Sequence, residues 1–97
     1  MNKYERIKHE LSLGKEAKMK VFGNSMTPKI KSGSILTFKA FDNYDIGDVV
    51  FCKIGQKIID AHLIVKKDRR KGYMIANNHG HENGWTTCIY GKVIKIE

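Results

Sequence analysis

The stretch Met19–Pro28 places the tightest restriction on how this chain can fold. A β-type run from Met19 to Phe22 ends at Gly23, which tolerates backbone angles that other residues resist. Pro28 fixes its own φ and disfavours a helical conformation of the residue before it. We therefore expect a rigid elbow that presents the hydroxyl of Ser25. Rigid presentation suits a nucleophile, although Asn, Ser, Thr and Pro are also common in ordinary turns.

The rest of the chain has the pattern of a mainly β protein. Residues 1–17 hold a short amphipathic helix, over residues 2–13, with apolar side chains at helical spacing. Residues 18–97 form the main domain, in which short apolar runs alternate with turn signals. The predicted strands are Met19–Phe22, Ile35–Phe41, Val49–Ile54, Ile58–Lys67, Tyr73–Ala76 and Cys88–Ile96. Many short strands with close turns predict an antiparallel, coiled β-sheet or barrel-like fold.

Length and charge limit the possible functions. A chain of 97 residues predicts one small domain, and its apolar runs fall far short of the roughly 18 residues that span a bilayer. We expect a soluble, cytoplasmic protein without a transmembrane segment. The net charge of +8 permits binding to nucleic acid, anionic lipid or an acidic protein. Cys52 and Cys88 lie in apolar stretches and are expected to be buried, reduced thiols, with a single disulfide as the open alternative.

The strand around His62 has a clear alternation. The residues that should share its core face are Ile59, Ala61, Leu63 and Val65. Asp60, His62 and Ile64 should point the other way. A histidine on that face is either a solvated side chain or one that meets a partner across the fold.

Two polar segments follow. The loop Asn77–Gly84 contains His79 and His81, and with His62 these imidazoles could ligate zinc or nickel. The ligand spacing is not that of a known site, so we expect no metal site and no cofactor. The second segment is the basic turn formed by Lys66, Lys67, Arg69, Arg70 and Lys71, which is either a solvated hairpin tip or a phosphate-binding surface.

Five segments, taken in order, carry a family resemblance: Gly23–Pro28, Lys29–Leu36, Tyr44–Val50, Asp60–Val65 and Gly91–Ile94. Together they resemble the LexA/signal peptidase superfamily of serine endopeptidases. The first is similar to the family's nucleophile box, G-x-S-M-x-P, and the fourth to the strand that bears its general base. The resemblance covers about residues 18–97 and implies a compact, mostly antiparallel, coiled β fold.

The resemblance implies a catalytic dyad of Ser25 and His62. Family members pair the serine with a lysine or a histidine, and His62 stands at the matching position. A base within hydrogen-bond reach can take the serine proton, and imidazole titrates near neutral pH. Asn24, Met26 and Pro28 are expected to shape the groove for an extended polypeptide substrate.

The chain departs from the family pattern at several positions. Ser34 stands where an aspartate is usual, and Leu63 where an arginine is usual. Histidine-type members also carry an aspartate where this chain has Asn77, and such an acid normally orients the histidine. Asp60, Asn77 and Glu82 are therefore the candidate orienting residues.

Three functional hypotheses follow from these observations. The first is a minimal, phage-encoded serine endopeptidase that cleaves a polypeptide through Ser25 and His62. The second is a catalytically silent peptidase fold that binds nucleic acid or a host protein through its basic surface. The third is a metal-dependent hydrolase built on the three histidines, which the ligand spacing does not favour.

Overall fold

A computed structural model describes residues 2–97 as one helix and seven strands. The helix α1 spans Lys3–Ser12, and the strands are β1 (Ala17–Lys20), β2 (Ile35–Lys39), β3 (Val49–Ile54), β4 (Lys57–Asp68), β5 (Gly72–Ala76), β6 (Glu82–Thr86) and β7 (Cys88–Ile96). All strand pairs are antiparallel and form one sheet in the order β1-β2-β7-β3-β4-β5-β6. The prediction of a mainly β, antiparallel fold with a short N-terminal helix is confirmed.

The helix α1 begins and ends close to its predicted limits. The side chain of Asn2 accepts a hydrogen bond from the Glu5 N–H at 2.9 Å and so caps the first turn. Ile7 and Leu11 are buried against β1 and β7. This burial stabilises a ten-residue helix that would be marginal in isolation. No helix among residues 2–97 has the length and hydrophobicity needed to cross a bilayer.

Two hydrophobic clusters cover different faces of the coiled sheet. The larger one contains Ile7, Leu36, Phe38 and Phe51. The second is formed by Tyr44, Val50, Cys52, Ile59, Ile64 and Ile75. The prediction that Ile64 points away from the core is wrong, because its side chain is fully buried. Both faces of the central strands are covered, and the pairing of β4 is interrupted by irregularities that break a simple alternation.

Three other sequence predictions need correction. The strand β1 ends at Lys20, before the predicted limit at Phe22, although Val21 still pairs with the segment before β2. Cys88 is exposed rather than buried, whereas Cys52 is fully buried and both cysteines are free thiols. The predicted loop Asn77–Gly84 overlaps the start of the strand β6, which begins at Glu82. Its polar, glycine-containing sequence becomes a strand because it pairs with β5.

Gly72 allows β5 and β6 to approach closely, which leads to a stability prediction. Its φ is +90°, and a Cβ there would collide with the Thr86 carbonyl and lie 2.8 Å from Thr87 Cγ2. We expect Gly72→Ala to lower the free energy of unfolding by about 3 kcal/mol, because backbone strain and overpacking add together. Gly33→Ala is the matched control, since Gly33 has a φ of +89° but open space around it. It should lose only about 1 kcal/mol. Urea denaturation measures both losses, and equal losses would contradict the steric argument.

Candidate active site

The elbow predicted from the sequence is a compact turn that begins where Val21 leaves the sheet. Val21 donates to the Ser34 carbonyl at 2.9 Å and accepts from the Gly33 N–H at 2.7 Å. Gly23 then has a φ of +102°, in the region that favours glycine, and the Thr27–Pro28 peptide bond is cis. Ser25 lies within this turn and is exposed.

Met26 anchors the elbow to the protein interior. Its side chain is only 4% exposed and belongs to the larger hydrophobic cluster. Its carbonyl accepts a hydrogen bond from the Ile30 N–H at 2.8 Å. An exposed serine therefore precedes a buried residue, so the position of its hydroxyl is tied to the core.

The hydroxyl of Ser25 meets the imidazole of His62. The distance from Ser25 Oγ to His62 Nε2 is 3.1 Å, so the expected proximity of these side chains is confirmed. On the other side of the ring, His62 Nδ1 lies 2.9 Å from Asn83 Oδ1. An amide oxygen can only accept, which assigns the proton to Nδ1 and leaves Nε2 to accept the Ser25 hydroxyl proton.

The surroundings of His62 favour its neutral form. Burial lowers the pKa of the imidazole below its ordinary value, and the nearby charge of Lys57 acts in the same direction. The hydrogen bond to Asn83 and the charge of Asp60 oppose this shift but do not reverse it. A neutral imidazole with an unprotonated Nε2 is the form that can act as a base.

Asn83, rather than any of the three predicted orienting residues, holds His62. Asn77 instead accepts hydrogen bonds from the His79 and His81 N–H groups at 2.8 and 3.0 Å. Glu82 forms an ion pair with Lys66 at 3.2 Å, and Asp60 lines a cleft that also contains Ser25 and His62. The sequence pattern did not identify Asn83 as the residue that orients His62, although Asn83 is an amide-bearing residue in the polar segment. Its role emerges only because β6 lies beside β5 and turns this side chain towards the ring.

A cleft of about 260 Å³ opens at Ser25 and His62. One wall comes from the elbow and the other from the first half of β4. The lining residues are Val21, Phe22, Gly23, Ser25, Met26, Ile30, Lys57, Ile58, Ile59, Asp60, Ala61 and His62. Of the three residues expected to shape a substrate groove, Met26 contributes to this lining, whereas Asn24 and Pro28 lie outside it on the exposed surface of the elbow.

The second edge of β4 is available along this cleft. Residues 57–63 pair with β3 on one side. On the other side, β5 begins to pair with β4 only at Leu63. The backbone of residues 57–62 therefore presents an edge to the cleft, of the kind to which an extended peptide can add.

The three histidines of the metal hypothesis do not share a site. His79 Nε2 contacts the Asn24 carbonyl at 3.0 Å, whereas His62 faces Ser25. His81 is exposed. Within residues 2–97, no group of three or more His, Cys, Asp and Glu side chains is arranged to hold a metal ion.

The basic turn lies at the tip of the β4–β5 hairpin. Asp68 accepts the N–H groups of Arg70 and Lys71 at 2.8 and 2.9 Å, which orders the turn. Lys66 and Lys67 form exposed ion pairs with acidic neighbours, whereas Arg69 is exposed beside a shallow depression. Lys67 and Lys71 also lie over the rings of Tyr73 and Trp85, respectively.

A comparison with known families agrees with this architecture. A family model described as "Peptidase S24-like" matches residues 4–93, a range that includes Ser25, His62 and Asn83. Searches among curated proteins and among solved structures returned no match. The family match covers most of the chain and supports the LexA/signal peptidase resemblance. The chain therefore belongs to the Peptidase S24-like family.

Proposed function

We propose that this protein is a serine endopeptidase in which Ser25 is the nucleophile and His62 the general base. The observation that carries the proposal is the hydrogen-bonded series from Ser25 Oγ through His62 to Asn83, with distances of 3.1 and 2.9 Å. The series combines an exposed hydroxyl, a neutral base and an acceptor that selects the required tautomer. Membership of a peptidase family agrees with it.

The reaction is a two-step acyl transfer. Ser25 Oγ attacks the carbonyl carbon of the scissile bond while His62 Nε2 takes the hydroxyl proton. Backbone N–H groups of the elbow stabilise the oxyanion that forms. The tetrahedral intermediate collapses, the C–N bond breaks, and His62 returns the proton to the leaving amine. A water molecule then attacks the acyl-enzyme, with His62 again as the base, and releases the carboxylate product and the free hydroxyl of Ser25.

The cleft suits a substrate in extended conformation. A polypeptide strand that enters it pairs with the unpaired edge of β4, and its backbone passes in front of Ser25. Apolar side chains on both walls, among them Phe22 and Ile58, favour apolar substrate side chains next to the scissile bond, while Lys57 and Asp60 make part of the lining polar. Folded helices are poor substrates in this arrangement, because their backbone groups are already hydrogen-bonded.

The test uses a denatured bacterial proteome as a pool of peptides. The wild-type chain and the Ser25→Ala variant are incubated with it in parallel, and new termini are identified by mass spectrometry. We expect termini that arise only with the wild type and that share apolar residues around the cleaved bond. Identical sets of termini from both proteins would overturn the proposed activity.

A binding role for the basic hairpin is the second candidate. It is supported by Lys67 and Lys71, which lie over the rings of Tyr73 and Trp85, since basic groups near aromatic rings are typical of single-stranded nucleic-acid surfaces. Arg69 and Arg70 are exposed in the same turn. If this role dominates, Ser25→Ala should retain the biological effect of the protein. Binding should then weaken steeply as salt is added, because counterions are released on binding.

The pKa of His62 predicts the pH dependence of the proposed activity. Only the neutral imidazole can accept the proton of Ser25, so kcat/KM should rise as pH increases through the His62 pKa. Because burial lowers that pKa below the ordinary value of 6.5, the plateau should already be reached near neutral pH. The pH profile of a fluorogenic peptide, based on an identified cleavage site, measures this. An acid limb centred well above pH 7 would contradict the assignment.

The same shift has a consequence for stability. The unfolded chain binds a proton at His62 more readily than the folded chain does, because the pKa of His62 is lower in the folded state. The contribution of His62 to the free energy of unfolding is therefore fully present above pH 6.5 and is lost as pH falls through the folded pKa.

A further inference from the structure

The loop Asn77–His81 reaches across the molecule to the serine elbow. The Asn78 N–H donates to the Ser25 carbonyl at 2.8 Å. The Asn78 side chain donates through Nδ2 to the Thr27 carbonyl at 3.0 Å. These contacts link residues more than fifty positions apart, and α1 and the seven strands include neither the elbow nor this loop.

His79 adds a third contact, to the residue before the serine. Its Nε2 lies 3.0 Å from the Asn24 carbonyl, which can only accept, so Nε2 carries the hydrogen. The same nitrogen is 3.4 Å from Thr27 Oγ1. His79 and Asn78 together therefore hold the carbonyl groups of three elbow residues, namely Asn24, Ser25 and Thr27.

Holding these carbonyls also sets the direction of the neighbouring N–H groups. The peptide bonds on both sides of Ser25 are trans, and in a planar trans peptide the C=O and N–H point in opposite directions. The Asn24 carbonyl is opposed to the Ser25 N–H, and the Ser25 carbonyl to the Met26 N–H. Both carbonyls point to the loop, so both N–H groups point away from it. Within residues 2–97, neither N–H donates to a backbone carbonyl.

One segment thus contacts both halves of the dyad. Asn78 and His79 hold the elbow, and Asn83, a few residues later, holds the ring of His62. Asn77 keeps the intervening loop compact by accepting the N–H groups of His79 and His81. Because a displacement of about 1 Å can cost two orders of magnitude in rate, a segment that connects nucleophile and base has a direct effect on catalysis.

We propose that His79 and Asn78 are positioning residues that aim the Ser25 and Met26 N–H groups as oxyanion donors. They do so by holding the opposed carbonyl groups. This inference rests on the proposed peptidase function, but the arrangement of the elbow can be measured without activity.

The test compares His79→Ala with His79→Gln, because the glutamine amide can still donate to the Asn24 carbonyl. We expect His79→Ala to lower kcat on the fluorogenic peptide by roughly 10- to 100-fold with little change in KM, since an oxyanion contact acts only in the transition state. His79→Gln should recover most of the loss. His9→Ala is the matched control, because His9 is exposed on α1 and should retain wild-type kcat.

A second measurement separates this inference from the proposed activity. Backbone ¹⁵N relaxation reports the order of the Ser25 and Met26 amides, which should fall in His79→Ala and stay unchanged in His9→Ala. An inactive wild-type protein would overturn the proposed function, and the relaxation data would still decide whether His79 holds the elbow. Unchanged elbow order in His79→Ala would overturn the inference, as would wild-type kcat in that variant.

Discussion

Ser25→Ala and His62→Ala are each expected to lower kcat/KM by about 10⁴-fold or more, and Ser25→Ala should do so with little change in stability. Each substitution removes one partner of the 3.1 Å contact between Ser25 Oγ and His62 Nε2, along which the proton moves in the proposed mechanism. The double variant should lose little more than either single variant, because the two groups act as a unit. Steady-state kinetics on the fluorogenic peptide measures all three effects.

The controls address folding and contaminating proteases. Ser25 is exposed, so its substitution should change the free energy of unfolding by no more than about 0.5 kcal/mol. Ser12→Ala and His9→Ala remove the same side-chain types from the exposed surface of α1 and should retain full activity. Losses that simply add in the double variant would argue against a dyad. Activity equal to wild type in Ser25→Ala would show that the observed cleavage does not depend on Ser25, and would overturn the proposed activity.

Two substitutions of Asn83 are expected to change kcat in opposite directions, and this is the second large expected effect. Asn83→Ala removes the acceptor for His62 Nδ1–H and should lower kcat by about 100-fold, because the ring loses its tautomeric preference. Asn83→Asp supplies a charged acceptor that stabilises the imidazolium formed in the transition state. We expect it to raise kcat by about tenfold, since charge-assisted hydrogen bonds are roughly twice as strong as neutral ones.

The aspartate variant also changes the pH profile. A carboxylate beside His62 favours the protonated ring and raises the imidazole pKa, so the acid limb of kcat/KM should move to higher pH. Asn43→Asp is the matched control, because it adds the same charge at an exposed position in another loop. If Asn83→Ala has wild-type kcat and Asn83→Asp an unshifted pH profile, Asn83 does not orient the base.

An asparagine in this position has a physical cost and a benefit. It selects the tautomer in which Nε2 can accept the serine proton, but it contributes no full charge to stabilise the imidazolium. At the same time, the pKa of His62 stays below its ordinary value, so the base is available at neutral pH. In the proposed mechanism, this arrangement favours a neutral His62 at the start of the reaction over stabilisation of the imidazolium that forms, and we expect slow turnover in the wild-type protein.

Local sequence patterns determined much of the fold and the exposed position of Ser25. The alternation of short apolar runs with turn residues predicted six of the strands, and the glycine–proline elbow predicted an exposed Ser25. These features depend on neighbouring residues, whose backbone preferences act over a few positions. The pairing of Ser25 with His62 was predicted from the family resemblance and from the alternation of side chains along β4.

Tertiary structure decided the features that depend on distant segments. β6 is a strand because β5 lies beside it, and its polar residues alone do not specify that state. Ile64 is buried because the coiled sheet covers both faces of β4. Asn83 reaches His62, and His79 reaches Asn24, only after the loop has folded back on the elbow. Side-chain hydrogen bonds between distant residues have no periodicity in the chain, so they arise only when packing brings their atoms to within about 3 Å.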